Sequence, residues 1–148
     1  MVVVRPLVAS DFDQWLPLWR GYLSFYKASI AEEVIRLSFD RLTNGKEPMG
    51  GFIALDDAGA AVGITHWVTH RSSWTAADYC YLQDLFVDPE KRGDGLGKLL
   101  IEAVYAKGRE LGCPRVYWLT HETNSQAMIL YDKVAAKSGF VHYRKDLG

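Results

Sequence analysis

The chain has 148 residues, enough for one domain with a buried core, and 17 basic against 18 acidic side chains leave a formal net charge of −1. This balance argues against a dedicated nucleic-acid binder, which usually carries a basic excess. No apolar run reaches the roughly 20 residues that a membrane helix needs. We therefore expect neither nucleic-acid nor membrane binding.

The N-terminal part predicts a strand followed by two helices. A β-branched run at 2–7 reads as the opening strand, and Ser10 or Asp11 can cap the first helix. Apolar residues, mostly aromatic, recur at three-and-four spacing along that helix as far as Tyr26. A second helical pattern covers about 30–42 and ends at a TNGKEP breaker.

The rest of the chain alternates strands and helices. In chain order the patterns predict a hairpin over 50–55 and 60–70, a strand over 78–87, a helix over 96–111, a strand over 115–120, a helix over 124–138 and a closing strand over 140–147. This order predicts one α/β (α+β) domain over residues 1–148, with a central mixed sheet.

The two cysteines and the N-terminal segment indicate a cytoplasmic protein without a metal site. Cys80 and Cys113 lie far apart and form neither a CxxC pair nor a His/Cys cluster, so we expect reduced, buried thiols. Residues 1–15 lack the basic region and long apolar stretch of a secretory signal.

A glycine-rich turn precedes the helix at 96–111, and two well-known phosphate motifs do not describe it. A P-loop needs glycine where Arg92 stands and serine or threonine where Leu99 stands. A dinucleotide fingerprint needs its last glycine where the chain has Lys98 or Leu100. Nucleotide hydrolysis or phosphoryl transfer is therefore disfavoured, since the serine or threonine that would bind magnesium is missing.

The same turn nevertheless has the chemistry of an anion site. A glycine-rich turn at a helix start leaves backbone N–H groups unpaired, and the helix dipole adds partial positive charge. Gly93, Gly95 and Gly97 allow close approach of a ligand, and Arg92 adds a cation. The turn predicts a diphosphate cradle, the alternative being a tight connection that binds nothing.

Two motifs resemble the GNAT superfamily of N-acetyltransferases. Arg92, Gly95 and Gly97 match its acetyl-coenzyme A signature R/Q-x-x-G-x-G/A, and residues 123–140 are similar to its second motif, N-x-x-A-x-x-x-Y followed by Gly-Phe. The chain looks closest to the branch of spermidine/spermine and fungal histone and polyamine acetyltransferases. The resemblance implies a GNAT-like mixed sheet of six to seven strands flanked by four helices.

The resemblance also implies acetyl-CoA as cofactor, no metal, and a set of site residues. Backbone amides of the turn would bind the pyrophosphate, a strand edge would pair with the pantetheine arm, and Tyr131 would act as the acid for the thiolate leaving group. Asn124 shares a helix face with Tyr131. The implied cofactor-binding residues are Leu85, Phe86, Val87, Arg92, Gly93, Asp94, Gly95, Leu96, Gly97, Lys98 and Asn124.

The general base is unassigned at this stage. Relatives of that branch carry Glu-Asp in the strand motif, where this chain has Gln83 and Asp84, and glutamine cannot serve as the base. Asp84 is either a structural hydrogen-bonding group, the favoured interpretation, or the base. Glu122 or His121 could act through water, or the amine could arrive neutral.

The acceptor is expected to be an amine, namely a small amine, a polyamine, an amino acid or a lysine side chain. Its predicted contacts are Trp19, Tyr22, Tyr26 and Gln83, although an aromatic stripe at helical spacing more often belongs to the core. The resemblance implies a homodimer formed through C-terminal strands. The alternative to an active enzyme is a catalytically weak sensor of acetyl-CoA or a dimerisation module. Gln83 is the one residue that favours this alternative, because it stands where relatives carry a glutamate.

Overall fold

The computed structural model describes residues 1–148, in five strands and four α-helices. The elements are β1 (Val3–Pro6), α1 (Phe12–Phe25), α2 (Glu32–Thr43), β2 (Met49–Leu55), β3 (Ala61–His70), β4 (Tyr79–Val87), α3 (Leu96–Glu110), β5 (Val116–Tyr117) and α4 (Ser125–Val134). They fall into two compact units, Met1–Trp118 and Leu119–Gly148. None of the helices combines the length and the apolarity needed to span a bilayer.

The sheet is mixed, as predicted, with the strand order β1-β2-β3-β4-β5. The first four strands pair antiparallel, and β5 joins β4 in parallel. The strand count is five rather than six to seven, and the expected closing strand at 140–147 is absent. A strand needs a neighbouring edge for its backbone hydrogen bonds, and no strand of this chain pairs with that segment.

The sheet is covered on both faces, as neighbouring residues of β3 show. Ile64 belongs to the main core together with Trp15 of α1 and Phe39 of α2. The next residue back, Gly63, contacts Leu100 of α3, because a Cβ there would lie 3.0 Å from that side chain. Since successive strand residues point to opposite faces, α1 and α2 cover one face and α3 covers the other.

A close approach of α1 to β4 positions the candidate site. A Cβ on Gly21 would lie 2.9 Å from the ring of Phe86 on β4, so only glycine permits this packing. The contact places the next residue, Tyr22, against the same strand, where its ring meets Phe86 edge-on at 6.3 Å.

The start of α1 differs from the prediction in one detail. Asp11 occupies the N-cap position, but its side chain does not cap the helix. Its carboxylate accepts two hydrogen bonds of 2.8 Å from Arg5 and one of 2.8 Å from the N–H of Val8. The hydrogen bond from Arg5 lowers the pKa of Asp11, so this carboxylate ties β1 to the start of α1.

Candidate active site

The turn between β4 and α3, residues 92–98, is here called the glycine loop, and its backbone N–H groups have no acceptor in the protein. Gly93 and Gly95 adopt left-handed conformations, with φ of 96° and 75°, and Gly95 is the N-cap of α3 without any side-chain cap. A Cβ built on either glycine meets nothing within 4 Å. The loop therefore presents unpaired donors to open space at the positive end of a helix, as phosphate binding requires.

The side chain of Arg92 is turned back towards β4. Its Nε donates a 3.2 Å hydrogen bond to the carbonyl oxygen of Val87, and its guanidinium carbon lies 5.9 Å and 5.7 Å from the ring centroids of Phe25 and Phe86. Arg92 thus fastens the loop to the end of the strand. The exposed Lys98 side chain lies 3.8 Å from Glu102 of the same helix. What the loop offers to an anion is chiefly its backbone.

One edge of β4 is open beside this loop. β3 pairs with β4 along its whole length, but β5 pairs only with Cys80 and Tyr81. The second half of the strand, including Leu85, Phe86 and Val87, consequently has no strand neighbour on that side. An extended ligand carrying amide groups could pair with this edge as an added strand would.

A β-bulge interrupts β4 at Gln83. His66 of β3 pairs with Asp84, whereas the next residue, Trp67, pairs with Leu82, so Gln83 is the extra residue. The Gln83 side chain is exposed. The buried hydroxyl of Thr65 donates a 2.8 Å hydrogen bond to the carbonyl oxygen of Asp84. This bond fixes the backbone directly after the bulge.

Asp84 is held in a chain of hydrogen bonds that reaches into the core, here called the Asp84 cluster (Trp15, Tyr22, His66 and Asp84). The indole Nε1–H of Trp15 donates to Nε2 of His66 at 3.0 Å. Because indole is a donor only, Nε2 carries no proton, and the proton of the neutral ring is on Nδ1. That Nδ1–H donates to Oδ2 of Asp84 at 2.9 Å. The side chains of His66 and Asp84 are only 3% and 13% exposed.

Tyrosines border the same carboxylate. Burial raises the pKa of Tyr22 well above its ordinary value, and Asp84 raises it further through its charge and through hydrogen bonding. Burial, followed by the charges of Tyr117 and Asp84, raises the pKa of Tyr81. The rings of Tyr81 and Tyr117 lie 4.9 Å apart. Asp84 therefore lies beside aromatic side chains from α1 and from the strands.

The predicted aromatic stripe on α1 has two parts. Trp19 is a core residue, 8% exposed and stacked between Trp15 at 5.7 Å and Tyr22 at 5.1 Å. Its buried Nε1–H has no hydrogen-bond partner. Tyr26, at the end of the helix, is 48% exposed and meets Tyr22 edge-on at 5.0 Å. Only Tyr22 combines partial burial with closeness to Asp84.

The second unit contains the two remaining predicted site residues, on one face of α4. Asn124 is the N-cap residue of the helix, but its side chain accepts no hydrogen bond from the helix backbone; its Nδ2 donates to Oγ1 of Thr120 at 3.4 Å. Asn124 and Tyr131 are both half-buried, as are Ala127, Met128, Leu130 and Val134, while the intervening positions are exposed.

Two other candidate bases precede α4. The Nδ1 atom of His121 accepts the backbone N–H of Thr123 at 3.2 Å and lies 2.6 Å from its hydroxyl. The accepting nitrogen of that ring is thus engaged in the turn, and Glu122 is exposed. Neither residue is held as firmly as Asp84.

The cysteines are free, Cys80 buried and Cys113 half-buried. Burial raises the pKa of Cys80 to about 11. No group of three or more His, Cys, Asp or Glu side chains is arranged to hold a metal ion.

Sequence patterns do not reveal the link between His66 and Asp84. From the sequence alone, His66 is one residue of the predicted strand over 60–70, and Asp84 is a hydrogen-bonding group without a named partner. A histidine that lies between Ile64 and Trp67 in one strand, with an aspartate in the next strand along the chain, is the signal that could have suggested this pairing. Only the register of β3 against β4 shows that His66 and Asp84 are paired.

Comparison with known proteins places the chain in a family. Residues 12–136 match the model of the Acetyltransferase (GNAT) family. A D-amino-acid N-acetyltransferase of Saccharomyces cerevisiae is 36% identical over 146 residues, which cover 98% of this chain and 91% of the yeast protein. A thialysine N-epsilon-acetyltransferase of Sus scrofa is 33% identical over 152 residues, covering 92% and 84% of the two chains.

The fold agrees with this assignment. The structure of an aminoglycoside N-acetyltransferase in complex with CoA has a TM-score of 0.82, with 19% identity, and the match covers 99% of this chain and 96% of that one. At this identity the likeness establishes the fold, and the family follows from the two sequence comparisons. The chain belongs to the GNAT family of acetyltransferases and is an N-acetyltransferase.

Proposed function

We propose that the protein transfers the acetyl group of acetyl-CoA directly to a primary amine, and that the glycine loop and the open edge of β4 hold the cofactor. The observation that carries this proposal is the set of unpaired N–H groups at 92–98 beside a strand edge without a neighbour. Bound acetyl-CoA would supply an acetyl thioester. The residues of the chain bind it and orient it. The amine gives up its proton to water before it attacks, and the C–S bond breaks as the C–N bond forms while a residue of the chain protonates the departing sulfur.

The loop suits the pyrophosphate of CoA better than a generic anion. Consecutive backbone N–H groups of the loop have no acceptor in the protein, and a Cβ on Gly93 or Gly95 would meet nothing within 4 Å, so two linked phosphates can approach the backbone there. Amide groups of the pantetheine arm suit the free edge at Leu85, Phe86 and Val87. Asn124 would add a side-chain amide contact.

On the acceptor side, we assign the amine to the surface formed by Tyr22, Tyr26 and Gln83. Tyr22 and Tyr26 meet edge-on at a partly exposed surface, where aromatic rings can attract an alkyl ammonium ion, and the Gln83 side chain at the bulge is exposed. Trp19 supports Tyr22 from the core and does not contact the amine. The yeast and pig relatives acetylate a D-amino acid and thialysine, so small amines are the acceptors to test first.

Tyr131 is the proposed acid for the thiolate leaving group. If it donates a proton or hydrogen bond to sulfur, Tyr131→Phe will lower kcat about 10- to 100-fold while leaving the Kd for CoA within about twofold. Stopped-flow thiol release and calorimetry measure the two quantities. Tyr79→Phe removes a hydroxyl at the far end of β4 from the glycine loop, keeps the ring that packs on Arg115, and serves as control. An unchanged kcat for Tyr131→Phe removes the assigned role.

Thiol release with a panel of amines tests the function as a whole. The panel contains D- and L-amino acids, thialysine, spermidine and a lysine-containing peptide, each with acetyl-CoA. We expect turnover with at least one small primary amine. Tight CoA binding without acceptor turnover, beyond slow hydrolysis, selects the sensor or dimerisation module instead.

We further propose that the chain is one acetyltransferase domain and acts as a homodimer in the cytoplasm. The family match at 12–136 includes parts of both compact units, which supports a single domain. Phe140, Val141, Tyr143 and Leu147 are at least 77% exposed in the single chain, and their segment lacks a strand partner. A second copy would supply that partner, so light scattering should give twice the chain mass.

A further inference from the structure

We propose that Asp84 binds the protonated amino group of the acceptor, and that His66, itself held by Trp15, keeps the Asp84 carboxylate in place. The inference rests on the proposed function, which it deepens by naming the group that recognises the substrate's charge. Asp84 is a binding residue in this scheme, and His66 is a positioning residue.

The hydrogen bonds of the cluster leave acceptor capacity on the carboxylate. A carboxylate has about four lone-pair positions. The Nδ1–H of His66 occupies one on Oδ2. The Asp84 side chain keeps 13% of its surface exposed, so a small group can reach the remaining positions.

The cluster contains no cation of its own. The only ion-pair partner of Asp84 is His66, whose ring is neutral because its Nε2 accepts from Trp15. No lysine or arginine pairs with this carboxylate. Burying a carboxylate without a positive partner costs free energy, which a ligand cation would offset. The arrangement calls for a ligand that carries a positive charge.

Aromatic rings around Asp84 indicate which kind of cation fits. Tyr22 and Tyr81 both lie close enough for the charge of Asp84 to raise their pKa values, and Tyr117 packs 4.9 Å from Tyr81. Ring faces beside a carboxylate suit an ammonium group with a short carbon chain. A hydrated inorganic cation would not use these rings.

Asp84 also lies where an acceptor nitrogen is needed. It directly precedes Leu85, the first residue of the edge that we assign to the pantetheine arm, on the same strand. The bulge at Gln83 and the bond from Thr65 fix the backbone of Asp84 at that junction. The bound ammonium group releases its proton to water before attack, and amine and thioester would then meet along one short stretch of β4.

Calorimetry with the CoA-loaded protein tests the assignment without requiring turnover. The probes are thialysine and D-alanine. Asp84→Asn is nearly isosteric, and we expect it to raise the Kd of the amine about 10- to 100-fold, as the loss of a charge-assisted hydrogen bond does. Asp13→Asn makes the same charge change at an exposed position of α1 and should leave the Kd unchanged.

The results separate the two proposals. If neither amine binds the wild-type protein, or if Asp84→Asn binds both within threefold of wild type, the role of Asp84 is overturned. If the amines bind through Asp84 but no amine in the panel is acetylated, the role of Asp84 stands and the proposed function fails.

Two substitutions of His66 test its positioning role. The substitution His66→Asn keeps an N–H near the position of Nδ1, whereas His66→Leu removes it; both lose the acceptor for Trp15. We expect the amine Kd to stay within about threefold of wild type for His66→Asn and to rise about tenfold for His66→Leu. An equal change of the amine Kd in the two variants overturns the positioning role of His66. Both variants lose the acceptor for Trp15, so an equal change would reflect only that shared structural loss. If His66→Leu does not fold, a tenfold rise in the amine Kd for His66→Asn alone also overturns the positioning role of His66.

Discussion

The glycine loop and the Asp84 cluster lie near the same end of β4, yet they are built in opposite ways. The loop is exposed and offers backbone donors that have no partner. The cluster is largely buried, and hydrogen bonds join its side chains Trp15, His66 and Asp84. Backbone conformation should therefore decide what the loop binds, whereas single side-chain atoms should decide what the cluster does.

The largest expected effect comes from changing the backbone of the loop. Gly95 is left-handed with φ of 75°, and a β-branched residue is disfavoured there. We expect Gly95→Val to raise the Kd for CoA about 100-fold, because the loop shifts and a side chain enters the space in front of its N–H groups. Calorimetry with CoA measures the change.

A matched control separates backbone strain from loss of the anion site. Gly59, in the hairpin turn between β2 and β3, is also left-handed with φ of 80° and also has nothing within 4 Å of a built Cβ. Gly59→Val should cost similar stability, about 1–2 kcal/mol, and leave CoA binding intact. If both valine variants lose CoA affinity equally, the loop has no special role in binding.

A tryptophan pair tests how far the cluster depends on single atoms. Trp15→Phe and Trp19→Phe remove the same atoms from stacked neighbours on α1, but only the N–H of Trp15 has a hydrogen-bond partner. Trp15→Phe leaves Nε2 of His66 buried without a donor. It should therefore lower the free energy of unfolding by about 1–2 kcal/mol more than Trp19→Phe does.

Urea unfolding of the two phenylalanine variants measures this difference. Both should keep the wild-type Kd for CoA, because the loop does not depend on the cluster. Equal losses of stability would mean that ring volume, and not the indole hydrogen bond, determines the contribution of Trp15.

Local signals account for much of the fold. The predicted helix at 96–111 is found at Leu96–Glu110, since left-handed glycines at Gly95 and Gly112 mark its two ends. The two strands of the hairpin lie within one residue of their predicted bounds. The closing strand is absent because a strand depends on a partner edge, and the sequence of 140–147 alone does not supply one.

The candidate site also has one part that local sequence predicts and one part that depends on tertiary structure. The glycine loop could be predicted because its chemistry lies in consecutive residues. The pairing of His66 with Asp84 could not, because it depends on the register of β3 against β4 and on a bulge at Gln83. Register is set by tertiary packing, and one inserted residue reverses the face of every residue beyond it.

The smallest expected effect tests whether the side chain of Arg92 matters beyond the backbone. Its guanidinium is held by the carbonyl oxygen of Val87 and by the ring of Phe86, so Arg92→Ala should loosen the loop without removing a donor from it. We expect the Kd for CoA to rise about threefold to fivefold, since an exposed contact of this kind contributes about 0.5–1 kcal/mol. Arg20→Ala removes the same charge from an exposed pair with Glu32 and should have no effect on that Kd. If Arg92→Ala instead loses as much affinity as Gly95→Val, the guanidinium must swing away from β4 to bind phosphate directly, and the loop then resembles the Asp84 cluster in depending on one side chain.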